Sequence, residues 1–209
     1  MPKKPRAAKS PRRSELTVLV LGLGNPGAVY ARTRHNVGFQ TLEKRAARGG
    51  FRFRKALFGP YLHAREQVGA EGSELVLVKP LTYMNRSGEV VPTLRRRFRP
   101  DRIVVVCDNL DLAPGTLRLK RGGSGGGHRG LASIARFLGP EEYLRLYIGI
   151  GRPPQREDPR QRIVNHVLGE PPAEEAKGLE EATERAAELL PALPDTAVNE
   201  LIQRINGSN

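Results

Sequence analysis

Two glycine-rich stretches and one cysteine carry patterns that could do chemistry. "VLVLGLGNPG" (18–27) places Gly22, Gly24 and Gly27 in G-x-G-x-x-G spacing, the fingerprint of dinucleotide binding. That fingerprint needs a helix opening inside the motif, and an acid about 20 residues on to hold a ribose hydroxyl. Here "AVYARTRHNVGF" follows, helical periodicity begins only near Asn36, and the nearest acid, Glu43, falls mid-helix. The cofactor reading fails, and no cofactor is expected. In "RGGSGGGHRG", Gly122, Ser124 and Gly126 satisfy G-x-S-x-G, the nucleophile elbow of esterases. An elbow needs an apolar strand running straight into the serine and a helix straight after it. Lys120 and Arg121 precede this one, and five of the six residues 122–127 are glycine, which describes a loop of close approach. The lone cysteine, Cys107, sits beside Asp108 in an apolar run and reads as core. One cysteine forms no internal disulfide, and no zinc cluster or other metal site is expected.

What remains is a set of polar groups at the ends of predicted strands: Asn25, His35, Asn85 and Asp108. Each alone has a plain structural reading, as turn former, helix cap or surface group. Together they matter if one edge of a sheet collects them, because in open α/β sheets ligands bind beyond the carboxyl ends of the strands.

The elements that must position them follow from periodicity. "LTVLVLGLG" (16–24) and "RIVVVCD" (102–108) are continuous apolar runs, the mark of strands buried on both faces. Segments 61–68 and 73–80 read as a hairpin across "GAEG", and 115–121 and 143–151 as further strands. Helices are expected over 36–50, stopped by Gly49-Gly50, and over 130–140, 173–190 and 195–206. Another is expected within 87–98, capped by Ser87, with Pro92 imposing a bend or a late start. "IVNHVLG" (163–169) reads as a strand or an extended segment. Strands alternating with helices predict α/β architecture: a single three-layer α/β/α domain over 15–209, with a mixed, largely parallel twisted sheet. No internal repeat or second domain is visible.

The charge points to a partner. Of 209 residues, 35 are Lys or Arg and 22 are Asp or Glu, a formal net charge of +13. Lys3, Lys4, Arg6, Lys9, Arg12 and Arg13 fall within residues 1–14, an arm without acids that is expected to be disordered. The body without them keeps an excess of seven positive charges. A cationic body with a cationic tail suits a polyanion, nucleic acid above all. No apolar stretch reaches the ~20 residues of a membrane-spanning helix, and the N-terminus lacks the apolar core of a secretory signal. A reducing, cytoplasmic setting without membrane contact is the expectation.

"GLGNPGAVYARTRHNVGF", "KPLTYMNRSG", "CDNLDLAPGTLRLKRGGSGGGHRGLASI", "YLRLYIGIGRP" and "VLGEP" follow one another in the chain. In that order they closely resemble the successive signatures of the bacterial-type peptidyl-tRNA hydrolase family, over about residues 16–205. The resemblance implies a metal-independent monomer that cleaves the ester joining a peptide to the 3′-terminal ribose of tRNA. By the same resemblance His35 is the catalytic base, Asp108 the acid that stabilises it, and Asn25 the amide that reads the blocked amino end and positions the ester carbonyl. Tyr30, Tyr83 and Asn85 match positions lining the cleft for the 3′ end and peptide. Lys120 matches part of a clamp on the tRNA 5′-phosphate, and the basic body would follow the acceptor arm. Arg129 stands where the family commonly has a cleft asparagine, and arginine donates but cannot accept. Asn109 replaces a usual acid. Tyr147 falls where a clamp arginine is often found, leaving Arg145 and Arg152 as its candidate substitutes. Keeping Asn25, His35, Asn85 and Asp108 together favours an enzyme over an RNA-binding module, which needs no such set.

Overall fold

Alternation along each central strand decides which side of the sheet a side chain enters. In the computed structural model, which describes residues 15–69, 72–154 and 158–207, strand β1 (Thr17–Gly22) sends Val18 and Val20 to one face and Leu19 and Leu21 to the other. All four are fully buried, so β1 is a middle strand, as its unbroken apolar run requires. Strands β2 (Arg54–Lys55), β3 (Tyr61–Val68), β4 (Ser73–Pro80), β5 (Arg102–Asn109), β6 (Leu117–Arg121) and β7 (Leu144–Gly149) complete one seven-stranded sheet of order β2-β3-β4-β1-β5-β7-β6. The central four, β4, β1, β5 and β7, are parallel. The outer pairings, β2 with β3, β3 with β4 and β6 with β7, are antiparallel. The sheet is therefore mixed with a parallel centre, as expected.

Helices close both faces. On one side α1 (Val37–Gly49), α4 (Pro159–Leu168), α5 (Ala173–Leu189) and α6 (Val198–Asn206) bury Leu42, Val167, Leu179, Ala182, Leu201 and Ile205 against Val18, Val20, Val104 and Ile148. On the other, α2 (Val91–Phe98), the 3₁₀ turn Met84–Val90 that leads into it, and α3 (Arg129–Ile134) bury Leu94, Val90, Leu131 and Ile134 against Leu19, Leu21 and Val105. The three-layer expectation holds.

The G-x-G-x-x-G motif has a packing purpose. A Cβ on Gly22 would collide with the carbonyl of Gly38, and one on Gly38 with the backbone of Leu23 and Val106. The start of α1 thus lies directly on the ends of β1 and β5. Gly24 abuts the Phe39 ring, and Gly27 turns the chain at φ 110°. Gly38→Ala is expected to destabilise the fold by about 3 kcal/mol, because backbone rather than a flexible side chain opposes the new methyl. Urea unfolding of the two proteins measures it.

Three local expectations change. Residues 163–168 are helical, inside α4, and only Gly169 is extended, because Asp158 accepts from the amides of Arg160 (3.0 Å) and Gln161 (3.1 Å) and Pro159 occupies the first turn. Ser87 caps nothing: it lies within the 3₁₀ turn with its hydroxyl buried and unpartnered, and α2 starts late, with Pro92 in its first turn. The helix expected over 130–140 spans only Arg129–Ile134 before giving way to turns. The expected disorder of residues 1–14 lies outside the described residues.

Candidate active site

His35 is held by its neighbours before it meets anything catalytic. It sits in the 3₁₀ turn Arg34–Asn36, between two buried side chains that fasten the turn. The Arg34 guanidinium donates to the carbonyls of His166 (3.3 Å) and Glu170 (3.2 Å) and to the Glu175 carboxylate (2.6 Å), tying the turn to the end of α4 and the start of α5. Asn36 donates from Nδ2 to the Asn25 carbonyl (2.9 Å) and accepts the Asn25 amide at Oδ1 (2.8 Å). This two-bond clasp joins the turn bearing His35 to the loop after β1.

Asp108, near the carboxyl end of β5, is 3% exposed. Its Oδ1 lies 2.7 Å from His35 Nδ1 and 3.0 Å from His128 Nε2, and the two imidazole centroids are 5.0 Å apart. His128 is the N-cap of α3: its Nδ1 accepts from the amides of Gly130 (3.1 Å) and Leu131 (3.3 Å). A nitrogen that accepts two N–H groups carries no proton, so the His128 proton is on Nε2 and is donated to Asp108. His35 likewise donates from Nδ1, which leaves its Nε2 lone pair as the free base of the couple. Burial is the largest single influence on Asp108 and pushes its pKa up, but the two histidines together outweigh it and hold the carboxyl below the ordinary range. Asp108 is therefore a permanent acceptor at neutral pH.

His35, Asp108 and His128 bring two imidazoles and a carboxylate to within 4.8 Å of one another, the donor types of a metal site. The α3 cap argues against that use. A metal on His128 Nε2 would need the proton moved to Nδ1, where two backbone N–H groups already point. The cluster is hydrogen-bonded instead, each imidazole giving one proton to the same oxygen.

Asn25 is 7% exposed and lines a cleft with Asn36. Its Oδ1 accepts the Met84 amide at 2.8 Å. Since a backbone N–H fixes that assignment, the group Asn25 offers to the cleft is the Nδ2 donor. The Met84 amide takes one of the two lone pairs of that oxygen, so Nδ2 is the group of Asn25 best suited to serve a carbonyl oxygen. Met84 in turn abuts Gly130, where an added Cβ would meet its sulfur and the His128 ring. Asn25, His35 and Asp108, drawn from three separate segments, are thus brought to one place.

The other expected residues surround this centre at different distances. Tyr30 is half-buried in the turn Ala28–Tyr30, its ring near Gly27. Tyr83 and Asn85 flank the buried Met84 and are exposed. Arg129, the first residue of α3, is exposed immediately after His128. Lys120 is not at the centre: it lies on edge strand β6, two strands from Asp108, or about 10 Å across the sheet. Arg118 and Arg121 are exposed on the same strand.

Neither candidate substitute for the clamp arginine is a free surface cation. Arg145 is 1% exposed, donating to the Gly122 carbonyl and, at 3.0 Å, to the Tyr143 hydroxyl. Arg152 is paired with Asp111. Asn109 accepts the Asp111 amide at 2.7 Å, a turn-forming use. Ser124 is exposed in the glycine loop. The Cys107 thiol is fully buried, and burial first, then Asp108, pushes its pKa well up, so it stays protonated.

Sequence reasoning missed His128, Asn36 and Arg34. The signal for His128 was its place just before an apolar-periodic helix, where a side chain that accepts hydrogen bonds acts as a cap. His128→Ala is expected to lose about 1 kcal/mol of capping, and kcat by about tenfold or more as Asp108 loses a donor. His128→Asn should restore the thermal midpoint but not kcat.

Known proteins share this fold. The family model described as Peptidyl-tRNA hydrolase matches residues 19–209. A peptidyl-tRNA hydrolase of Dehalococcoides mccartyi (strain CBDB1) is 43% identical over 190 residues, covering 90% of this chain and 98% of that one. One from Aquifex aeolicus is 42% identical over 176 residues, covering 82% and 87%. The crystal structure of peptidyl-tRNA hydrolase from Acinetobacter baumannii superposes with a TM-score of 0.81 at 35% identity, covering 95% and 97%.

Proposed function

The chain belongs to the peptidyl-tRNA hydrolase family, and from that premise we propose that its hydrolysis of the peptidyl-tRNA ester runs on His35 as general base, supported by Asp108 and His128. The 2.7 Å contact between His35 Nδ1 and Asp108 Oδ1 carries this reading, because it leaves Nε2 unprotonated and aimed away from the carboxylate. A water bound at Nε2 gives one proton to it as the water oxygen attacks the acyl carbon. Asp108, already ionised, stabilises the imidazolium so formed. Asn25 Nδ2 donates to the carbonyl oxygen as it gains negative charge. The bond to the ribose 3′-oxygen then breaks, and that oxygen takes the proton from His35 Nε2, leaving a peptide acid and tRNA. An ester needs neither a covalent enzyme intermediate nor a metal for this.

An amide that presents its Nδ2 donor to the ester also suits the choice of substrate. A blocked nitrogen is uncharged, whereas a free α-ammonium brings a strongly hydrated positive charge toward the Asn25 donor. Tyr30, Tyr83, Asn85 and Arg129 surround the 3′ end and the peptide. Lys120, with Arg118 and Arg121 beside it, takes phosphate at the β6 edge, with the acceptor arm continuing beyond. The protein works as a cytoplasmic monomer in this reading; among the described residues no helix is long and apolar enough to cross a membrane.

The direct test is turnover of N-acetylaminoacyl-tRNA against free aminoacyl-tRNA at enzyme concentrations far below substrate. Many turnovers of the first and few of the second are expected; equal rates would remove the proposed role of Asn25.

A further inference from the structure

The reacting couple lies between two unlike surfaces. Toward β7 and β6 the edge carries the exposed cations Arg118, Lys120 and Arg121. Toward β4 and β3 a cleft of about 290 Å³ starts at Asn25 and Asn36 and is walled by Pro26, Phe39, Leu62 and Leu81. Its far end is electrically closed, since the Lys79 ammonium, lying over the Phe39 and Phe53 rings at 5.4 and 4.7 Å, is paired with Glu43. Four large apolar side chains continue this side onto the surface: Val29 (78% exposed), Leu57 (87%), Phe58 (75%) and Tyr83 (60%). The Leu81 amide, bonded to the Pro60 carbonyl at 2.7 Å, fastens the turn bearing Leu57 and Phe58 to the cleft wall. Apolar surface gathered at one end of a cleft marks a binding face rather than chance exposure.

We propose that this groove binds the residue preceding the esterified one in the substrate's peptide, and selects an apolar side chain there. The proposal rests on the peptidyl-tRNA reading above. Two parts of the substrate leave the ester in opposite directions: a polyanion, and a chain of neutral amides with varied side chains. The cationic edge matches the first. The groove offers the second an apolar wall whose only charges cancel each other. It borders the reaction centre at Asn25, whose backbone is clasped to Asn36 next to His35. A carboxylate placed in it would lose hydration and find the Lys79 ammonium already engaged.

The test compares three tRNA esters: N-acetylalanyl, N-acetyl-leucyl-alanyl and N-acetyl-aspartyl-alanyl. With the wild-type chain the leucyl compound should exceed the aspartyl one in kcat/KM by about tenfold. In Leu62→Lys that ratio should fall to unity or below, because the new, unpaired ammonium favours aspartate. Leu81→Ser should bring it part of the way. A variant that is merely misfolded lowers both rates and leaves their ratio standing. A wild-type ratio near one, or one unmoved by a Leu62→Lys protein that keeps the wild-type thermal midpoint, overturns the proposal. If Leu62→Lys slows all three esters equally, the groove holds the terminal nucleoside instead. Wild-type cleavage of N-acetylalanyl-tRNA without side-chain preference defeats the groove alone, while no cleavage of any ester defeats the underlying reading.

Discussion

His35→Ala is expected to lower kcat for N-acetylaminoacyl-tRNA by about a thousandfold or more, with tRNA binding little changed. The asymmetry follows from where the side chain sits. His35 Nδ1 is spent on Asp108, and its ring is largely enclosed, so its removal subtracts the acceptor for the water proton and almost no surface that a tRNA could grip. In the proposed reading the phosphate contacts fall on the β6 edge, two strands away from Asp108. Fold is also spared, because the turn is fastened by Arg34 and Asn36 rather than by His35 itself. Single-turnover kinetics and equilibrium binding on one preparation separate the two effects. Added imidazole should recover part of the lost rate by entering the space left by the ring. Wild-type kcat in His35→Ala would remove the base from the mechanism.

The strands were legible because their burial leaves a mark on composition. β1 and β5 are buried on both faces, and no polar residue interrupts the runs that form them. The hairpin of β3 and β4 was legible from its glycine turn. What the sequence hid is of a different kind. α4 looked extended because its apolar residues, Ile163, Val164, Val167 and Leu168, fall in one short run at its end, and its start depends on the Asp158 cap just before Pro159. His128 was hidden because its bond to Asp108 exists only once α3 and β5 are neighbours, although its capping of α3 is local. Asn25 was readable as an amide in a rigid turn, but which end of the amide is anchored is decided by the Met84 backbone, 59 residues away. Arg145 shows the converse limit. Its position in an alternating strand is plain, yet that it points into the core beneath Gly122 depends on the β6 partner that covers it.

Asp108→Asn is expected to cost about as much in kcat as loss of the base, on the order of 10³ to 10⁴, the scale seen when the acid of a hydrolase couple becomes an amide. The amide keeps the shape and removes the charge that an imidazolium needs beside it. With two imidazoles donating to a single oxygen, the variant also loses two charge-assisted bonds at once, and stability should fall by about 2–4 kcal/mol at pH 7. The pH dependence of that loss has a definite sign. The folded Asp108 carboxyl titrates below its unfolded value, so its contribution is complete above about pH 4 and disappears as the pH falls through the folded value. Urea denaturation of both proteins at pH 5 and pH 3 should give a smaller difference at pH 3. A difference that grows between pH 5 and pH 3 would mean that the carboxyl is protonated in the folded protein. Its oxygen could then not serve as the shared acceptor on which both histidines depend.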